Sequence, residues 1–286
     1  SSAWRMAVRS HRDWSCGVQT PDPHSSALRF GLFRHRALLI QLIKRDVLLR
    51  YRGAMFGVLW MFLSPLLMLG IFAFIFGQIF QTRWPQQPEG LPFWLMLYSG
   101  LIVFNLYADA VSRSPSAVRG YPSYVKKIIF PVEVLALVPL GSSIIHALFN
   151  LLIFAVALAW VGHLSIGLLL FPVLLLPVLL LALGLSWFLA AWGVFIKDMT
   201  QIVPLVVQMT LFLSPVFYPV SAVPAWLHPL YRYNPIGSVI EAGRTAILGS
   251  PIPWAAWLTA LGVGAVICAL GYLFFQSSRD EFADVL

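Results

Sequence analysis

Ionisable side chains within the long apolar stretches are the residues of this sequence best placed for chemistry. His146 lies in the middle of one stretch, and Asp109 and Glu133 lie near the ends of two others. Ionisable groups at such positions are typical of ion paths and proton relays in carriers. A lone histidine on an apolar helix is more often a hydrogen-bonded packing residue, and we favour that interpretation of His146. The sequence therefore indicates no proton path.

Motifs for nucleotide binding, hydrolysis and metal ligation are absent from the sequence. It contains no GxxxxGK[ST] phosphate loop, no HExxH or GxSxG motif, and no Cys/His cluster with metal-ligand spacing. The two cysteines, Cys16 and Cys268, predict neither a disulfide framework nor a thiolate metal site. We expect no catalytic residue, no metal site and no cofactor in this chain, so that a partner must drive any work.

Aromatic side chains are the other candidates for chemistry. Phe72, Phe76 and Phe80 recur at helical spacing, and a stripe of this kind usually faces lipid or a neighbouring helix. A sugar track is the alternative, because aromatic faces stack on the apolar faces of pyranose rings. The candidate channel or sugar contacts are Trp60, Phe72, Phe76, Phe212, Phe217 and Tyr218.

The composition indicates which class of protein carries these side chains. Hydrophobic residues make up 59% of the 286 residues and charged residues 10%, against roughly 45–50% and about 25% in soluble domains. The net charge of +8 does not indicate nucleic-acid binding, because the basic residues flank apolar stretches. We predict an all-α integral membrane protein that contacts the lipid bilayer and binds no nucleic acid.

Six apolar runs have the length of about 20 residues that crosses a bilayer. Pro172 and Pro177 should kink the fourth run, because proline removes a backbone donor. The predicted organisation is a polar tail at 1–36, a transmembrane domain at 37–276 and a second tail at 277–286. The six predicted spans are residues 55–80, 92–112, 133–161, 166–195, 201–220 and 254–276.

The distribution of lysine and arginine predicts the orientation. Sixteen of the 19 basic residues fall on one side of the six spans. The positive-inside rule then places both termini in the cytoplasm. Residues 1–36 are polar and do not read as a cleaved signal peptide, which needs a short apolar core.

Residues 37–52, which precede the first span, predict a helix lying in the cytoplasmic membrane interface. Leu39, Ile43, Val47 and Tyr51 recur at four-residue spacing, with most of the basic residues opposite them. The amphipathic pattern is imperfect, because two charged residues fall close to the apolar stripe. The alternative is a basic flank that only orients the first span. The candidate residues of this helix are Arg45, Asp46, Arg50, Tyr51 and Arg52.

The segment between the fifth and sixth spans is apolar but too broken by prolines to cross the membrane. Asn234 is suited to cap a short helix that begins at Pro235. Glu241 and Arg244, three residues apart, are suited to pair on one face of that helix. The segment predicts short re-entrant or interfacial outer helices, with an ordinary extracytoplasmic loop as the alternative.

The loop between the second and third spans is the predicted contact for an energy-supplying partner. Residues 121–135 are basic and aromatic and are bounded by Pro122 and Pro131. A short helix held in this way is suited to transmit nucleotide-driven motion from a motor domain. The alternative is that its lysines only orient the membrane spans. The candidate coupling residues are Tyr121, Tyr124, Lys126, Lys127 and Phe130.

Five segments of the sequence carry motifs of one known family. They are KRDVLLRYRGAMFGVLWMFLSPLL (44–67), KKIIFPVEVL (126–135), FIKDMTQIVPLVVQMTLFLSPVFYPVSAVP (195–224), YNPIG (233–237) and FADVL (282–286). Together these segments resemble the permease subunits of bacterial ABC polysaccharide exporters, a family that moves lipid-linked O-antigen, capsular polysaccharide or teichoic acid. The resemblance covers residues 37–286, and Ser64-Pro65 departs from it where many relatives carry Asn-Pro.

The resemblance implies a homodimer in the bacterial plasma (inner) membrane. Two copies of a separate ATP-binding subunit, which bind ATP and Mg, would drive it. It also implies an N-terminal interface helix, six spans, a coupling helix between spans 2 and 3, and short outer helices between spans 5 and 6. Spans 1 and 5 of two protomers would enclose the polymer channel. We predict that residues 121–132 dock into the ATP-binding subunit, with the helix at 37–52 beside them. The alternatives are a type-2 ABC exporter of drugs or lipids, and a membrane-embedded sugar or acyl transferase. A transferase would need a convergent acid, base or metal-binding group, which the sequence does not show.

Overall fold

The computed structural model describes residues 36–79, 91–122, 131–219, 223, 224, 226, 231 and 233–285. All regular structure in this part of the chain is helical. The α-helices are α1 (Arg36–Arg50), α2 (Trp60–Phe74), α3 (Phe93–Arg113), α4 (Leu137–Val161), α5 (Gly167–Leu174), α6 (Leu176–Phe195), α7 (Met199–Leu213), α8 (Pro235–Ile247), α9 (Trp254–Ser278) and α10 (Phe282–Val285).

Among the described residues, five helical segments are long and apolar enough to cross a membrane. Short 3₁₀ and π-helical turns extend several of them beyond the α-helices. These segments coincide with five of the six predicted spans, so the all-α integral membrane class is confirmed. They are Gly57–Ile79, Phe93–Ser116, Val132–Val161, Gly167–Phe195 and Trp254–Glu281.

The predicted fifth span, residues 201–220, differs from the structure. Helix α7 ends at Leu213 after 15 residues, which is about 22 Å at 1.5 Å per residue and short of a full crossing. Ser214 is extended, with φ −107° and ψ 145°, as expected for a residue before proline. The apolar run continues past this point, so hydropathy placed the end of the helix too late.

The fourth predicted span is interrupted by one residue near the two prolines that were expected to kink it. Helix α5 ends at Leu174 and α6 begins at Leu176, so the single apolar run is interrupted at Leu175. Pro172 lies inside α5, and Pro177 occupies the second position of α6, where a missing N–H costs no intrahelical hydrogen bond.

Helix α3 lies at the centre of the bundle and packs against α4, α6, α7 and α8. Helices α6 and α9 approach most closely, because glycines face each other along the contact. A Cβ added at Gly271 would lie 2.0 Å from the carbonyl oxygen of Gly184. Helix α2 is held loosely by comparison, since only Met61 and Leu69 are buried along it. Within the described part of the chain, one side of α2 is thereby left open.

Candidate functional site

A polar cleft of about 630 Å³ lies between α2, α3 and α4 and extends to the end of α7. Polar residues on α3 and α4 recur at helical spacing, so each set occupies one face of its helix. The packing of α3 against α4 turns these two faces into one wall. The polar residues of this wall are Tyr98, Asn105, Asp109, Ser143, His146 and Asn150.

The polar wall is partly cross-linked by hydrogen bonds. The hydroxyl of Tyr98 donates to Oδ1 of Asn150 at 2.8 Å, and Nδ2 of Asn150 donates to the carbonyl of His146 at 2.8 Å. The side chain of Asn105 is exposed in the cleft and makes no hydrogen bond to the described residues. Its amide is therefore available to a polar molecule in the cleft.

Three of the six aromatic candidates line this cleft: Trp60, Phe72 and Phe217. Phe76 instead packs against Phe72, with ring centroids 6.1 Å apart, and lies outside the cleft lining. Phe212 also lies outside the lining, with 64% of its surface exposed and its ring centroid 6.4 Å from that of Phe217.

Tyr218, the last aromatic candidate, caps the end of α7. Its hydroxyl donates to the carbonyl of Phe212 at 2.6 Å and also contacts the hydroxyl of Tyr231. The structure therefore brings half of the aromatic set to one place.

A cluster of two carboxylates and two guanidinium groups joins α1 to α3. Nη2 of Arg50 donates to both carboxylate oxygens of Asp109 at 2.8 and 2.9 Å. Nη1 of Arg113 donates to Asp46 at 2.7 Å, and its Nη2 lies 3.3 Å from Asp109. We call these four residues the charge cluster. It balances two positive charges against two negative charges.

Helix α4 completes the surroundings of the charge cluster. Ser143 donates to Oδ2 of Asp109 at 2.6 Å, and Nη2 of Arg113 donates to the carbonyl of Pro139 at 3.1 Å and contacts Ser142. Arg50 and Asp109 also line the polar cleft. The charge cluster thus ties α1 to α3 and α4 at one end of the cleft.

The charge cluster explains why the amphipathic pattern of α1 is imperfect. Asp46 and Arg50 fall beside the apolar stripe because they face α3 rather than solvent. Both halves of the cluster have the form Asp-x-x-x-Arg, at 46–50 and 109–113, and this spacing places the two charges on one helix face. The repeated motif was the sequence signal for the cluster, and the sequence interpretation missed it.

Tyr51 and His146 form a second contact between α1 and α4. The hydroxyl of Tyr51 lies 3.3 Å from Nδ1 of His146. Burial raises the pKa of the Tyr51 hydroxyl above its usual range, so the hydroxyl stays protonated at neutral pH. The interpretation of His146 as a hydrogen-bonded packing residue agrees with this contact.

Helix α8 has the predicted cap and the predicted ion pair. Oδ1 of Asn234 accepts from the backbone N–H of Ile236 and Gly237, and Pro235 is the first helical residue. Nη1 of Arg244 lies 3.2 Å from Glu241. Burial lowers the pKa of Arg244 to about 10, and Glu241 opposes that shift. Arg244 therefore remains charged at neutral pH.

Arg244 also fixes the segment that follows α7. Its side chain is 1% exposed. Nη1 and Nη2 donate to the carbonyls of Pro215 and Val216 at 2.7 and 2.6 Å, and Nε donates to that of Met96 at 3.3 Å. Sequence reasoning assigned Arg244 only the pair with Glu241. The contacts with α3 and residues 215–216 need tertiary structure and left no signal in the sequence.

Of the five coupling candidates, only Tyr121 lies in the described part of the chain. Tyr124, Lys126, Lys127 and Phe130 lie outside the described part of the chain. The guanidinium of Arg45 lies 5.5 Å from the ring centroid of Tyr121, so one interface-helix candidate meets one coupling candidate.

Arg52, the remaining interface-helix candidate, is exposed beyond the end of α1. Among the described residues, no group of three or more His, Cys, Asp or Glu side chains is arranged to hold a metal ion.

Comparisons with known proteins agree with this architecture. The family model described as "ABC-2 type transporter" matches residues 37–248. The O-antigen export system permease protein RfbA of Myxococcus xanthus is 28% identical over 257 residues, covering 88% of this chain and 96% of that protein. A Klebsiella pneumoniae protein of the same name is 22% identical over 261 residues, covering 87% of this chain and 95% of that protein.

A third relative is the polysialic acid transport protein KpsM of Escherichia coli, which is 22% identical over 257 residues and matches 88% of this chain and 97% of its own length. The family match covers well over half of the chain and ends within the first residues after α8. The chain is a multi-pass membrane protein that belongs to the ABC-2 type transporter family.

Proposed function

We propose that this chain is the transmembrane permease subunit of an ATP-driven exporter that moves lipid-linked polysaccharide across the bacterial plasma membrane. The observation that carries the proposal is the polar, aromatic-lined cleft inside an otherwise apolar bundle. The names of the relatives supply the class of substrate. An apolar drug or lipid needs no such array of amides and hydroxyls.

The lining of the cleft suits a sugar chain. Trp60, Phe72 and Phe217 offer ring faces for the apolar sides of pyranose rings. Tyr98, Asn105 and Asn150 offer hydroxyl and amide groups for sugar hydroxyls. A polymer needs a path that binds each unit weakly, and such a mixture provides contacts without a deep, closed pocket.

The proposal includes partners that this chain does not supply. The sequence lacks a phosphate loop, so two copies of a separate ATP-binding subunit would bind ATP and Mg. A second copy of this chain would cover the open sides of α2 and α7, where Leu66 and Phe212 are at least half exposed. Both termini would lie in the cytoplasm, with residues 121–132 facing the ATP-binding subunits and α1 beside them.

The charge cluster would carry motion from α1 to the cleft. Because Arg50 and Asp109 belong to both the cluster and the cleft lining, a displacement of α1 cannot leave the cleft wall unchanged. Residues 121–132 would provide the primary contact with the motor subunit.

The test is export of polymer by cells that lack their own permease and carry this chain with its ATP-binding subunit. Trp60→Ala and Phe217→Ala should each lower surface polysaccharide several-fold while leaving membrane insertion intact. Trp160→Ala is the matched control, because Trp160 is 90% exposed and lies outside the polar cleft. Normal export by both cleft variants, or ATPase stimulation by drugs or free lipids but not by the polymer, would contradict the proposal.

A further inference from the structure

A second groove, of about 500 Å³, lies on the opposite side of α1 from the charge cluster. It is formed by the exposed face of α1 and by the beginning of the α2 segment at Gly57 and Val58. Its cations are Lys44, Arg45 and Arg52, and no acidic side chain occurs among the described residues that line it.

The helical spacing of α1 separates the two sets of charges. Lys44, Arg45 and Leu48 lie on the groove face, whereas Asp46 points to Arg113 at 2.7 Å. The nearest carboxylate in the sequence is therefore engaged on the other face. Arg45 is further held in place by its position 5.5 Å from the ring centroid of Tyr121.

Apolar side chains border the cations in this groove. Leu48, Leu49 and Val58 are 45–48% exposed, although each is a large aliphatic residue. An exposed face that mixes leucines with lysine and arginine is typical of a helix lying at the boundary between lipid headgroups and acyl chains. Arginine and lysine N–H groups suit phosphate oxygens, and the leucines suit the first carbons of the acyl chains.

We infer that this groove is a binding site for an anionic phospholipid of the bilayer, with the headgroup phosphate against Lys44, Arg45 and Arg52. The bilayer is the favoured source, because the three cations line the groove and not the polar cleft, with which the groove shares only Tyr51. A bound lipid would touch both α1 and the start of the α2 segment.

The bound lipid would bridge the turn between α1 and α2. Gly53 and Gly57, between α1 and α2, have φ values of +85° and +49°, and no atom lies within 4 Å of a Cβ added at either. The described residues leave open space around these two glycines, so a ligand that contacts both flanks of the turn should stabilise the relative position of α1 and α2. The lipid would therefore act on the helix that forms one side of the cleft.

The test is lipid binding to the full purified chain in detergent, measured by native mass spectrometry with phosphatidylglycerol and with phosphatidylcholine. Each basic residue near an anionic lipid contributes about 1 kcal/mol, and about 1.4 kcal/mol corresponds to a tenfold change. The variant K44Q/R45Q/R52Q should therefore bind phosphatidylglycerol about 100-fold more weakly. The rise in Tm that phosphatidylglycerol causes in the wild type should disappear with it.

The matched control is R119Q/K197Q/R279Q, which removes the same charge from residues that do not line the groove. It should keep wild-type binding. If the triple groove variant fails to fold, K44Q/R52Q replaces two exposed side chains and should weaken binding about 25-fold.

Three results would overturn the inference. They are equal binding of phosphatidylglycerol by the wild type and the groove variants, equal binding of the two phospholipids by the wild type, and displacement of phosphatidylglycerol by a polyprenyl pyrophosphate. The last result would assign the groove to a lipid-linked substrate instead of a bilayer lipid.

Discussion

The charge cluster predicts a strong energetic coupling between α1 and α3, which the pair Arg50 and Asp109 can measure. Asp109→Asn keeps the shape of the side chain but removes its charge, and Arg50→Gln removes the partner. In the wild type, Nη2 of Arg50 contacts both oxygens of Asp109 at 2.8 and 2.9 Å. A double-mutant cycle with these two substitutions isolates the energy of that contact.

The expected coupling follows from the distances and the partial burial of the pair. Opposite unit charges about 4 Å apart attract by about 4 kcal/mol at an effective dielectric constant of about 20. The two side chains are 28% and 27% exposed, so water screens part of this attraction. We expect a coupling energy of about 2–4 kcal/mol, since truncating one partner of a fully buried pair costs about 3–5 kcal/mol.

The two single variants should not cost the same. Asp109 also lies 3.3 Å from Arg113 and accepts from Ser143 at 2.6 Å. Asp109→Asn removes the carboxylate that pairs with both Arg50 and Arg113. Arg50→Gln removes only one of these two guanidinium groups and leaves the other pair intact. Asp109→Asn should lower the free energy of unfolding more than Arg50→Gln does.

The assay is reversible unfolding of the four proteins in mixed micelles, followed by circular dichroism. The matched control is the same cycle on Arg279 and Asp280, whose side chains are 47% and 87% exposed at a separation of 3.4 Å. That pair should couple by less than about 1 kcal/mol. If Arg50 and Asp109 couple no more strongly than this control, the cluster does not join α1 to α3 as argued.

Three further predictions concern packing, buried charge and coupling. Gly271→Ala should strongly reduce the yield of monodisperse protein in detergent, because its Cβ would meet backbone at 2.0 Å, while Gly262→Ala, with nothing within 4 Å, should not. Arg244→Met should lower the free energy of unfolding in detergent by about 3–5 kcal/mol. A loss below about 1 kcal/mol would contradict the contacts assigned to Arg244. Replacing Lys126 and Lys127 together by Glu should lower surface polymer and uncouple ATP hydrolysis from export, and normal values for both would leave this loop as a topology signal alone.

The transmembrane architecture was predictable because lipid imposes a simple rule on the sequence. A helix needs about 20 apolar residues to cross the hydrocarbon, and its backbone must be satisfied internally. Both requirements depend only on the residues of the segment itself and can be read from its sequence. Five of the predicted spans correspond to the structure. The cap at Asn234 and the pair between Glu241 and Arg244 were predictable for the same reason, since each partner lies within three residues.

The cleft could be predicted only in part. The spacing of Tyr98, Asn105 and Asp109 places them on one face of α3, but the sequence does not say which helix that face meets. Trp60 begins α2 and Phe217 follows the end of α7, so their meeting depends on how distant parts of the chain pack. Only three of the six aromatic candidates line the cleft, because aromatic residues at helical spacing can face a cleft, a neighbouring helix or lipid.

The tetrapeptide Phe-Leu-Ser-Pro shows how tertiary structure decides what sequence leaves open. It occurs at 62–65 in the first predicted span and at 212–215 in the fifth. Helix α2 continues through Pro65 to Phe74, whereas α7 ends at Leu213, before Ser214 and Pro215. The local residues are identical, so the difference must come from groups outside the tetrapeptide.

Helix α8 and the cap that precedes it supply those groups at the second occurrence. A helix that ends leaves its last carbonyls without intrahelical donors. Nδ2 of Asn234 donates to the carbonyl of Leu213 at 3.3 Å, and Arg244 donates to those of Pro215 and Val216. The buried charge of Arg244 thereby stabilises a broken backbone that holds Phe217 in the cleft wall. A short helix that does not itself cross the membrane thus determines where α7 stops and how the cleft is lined.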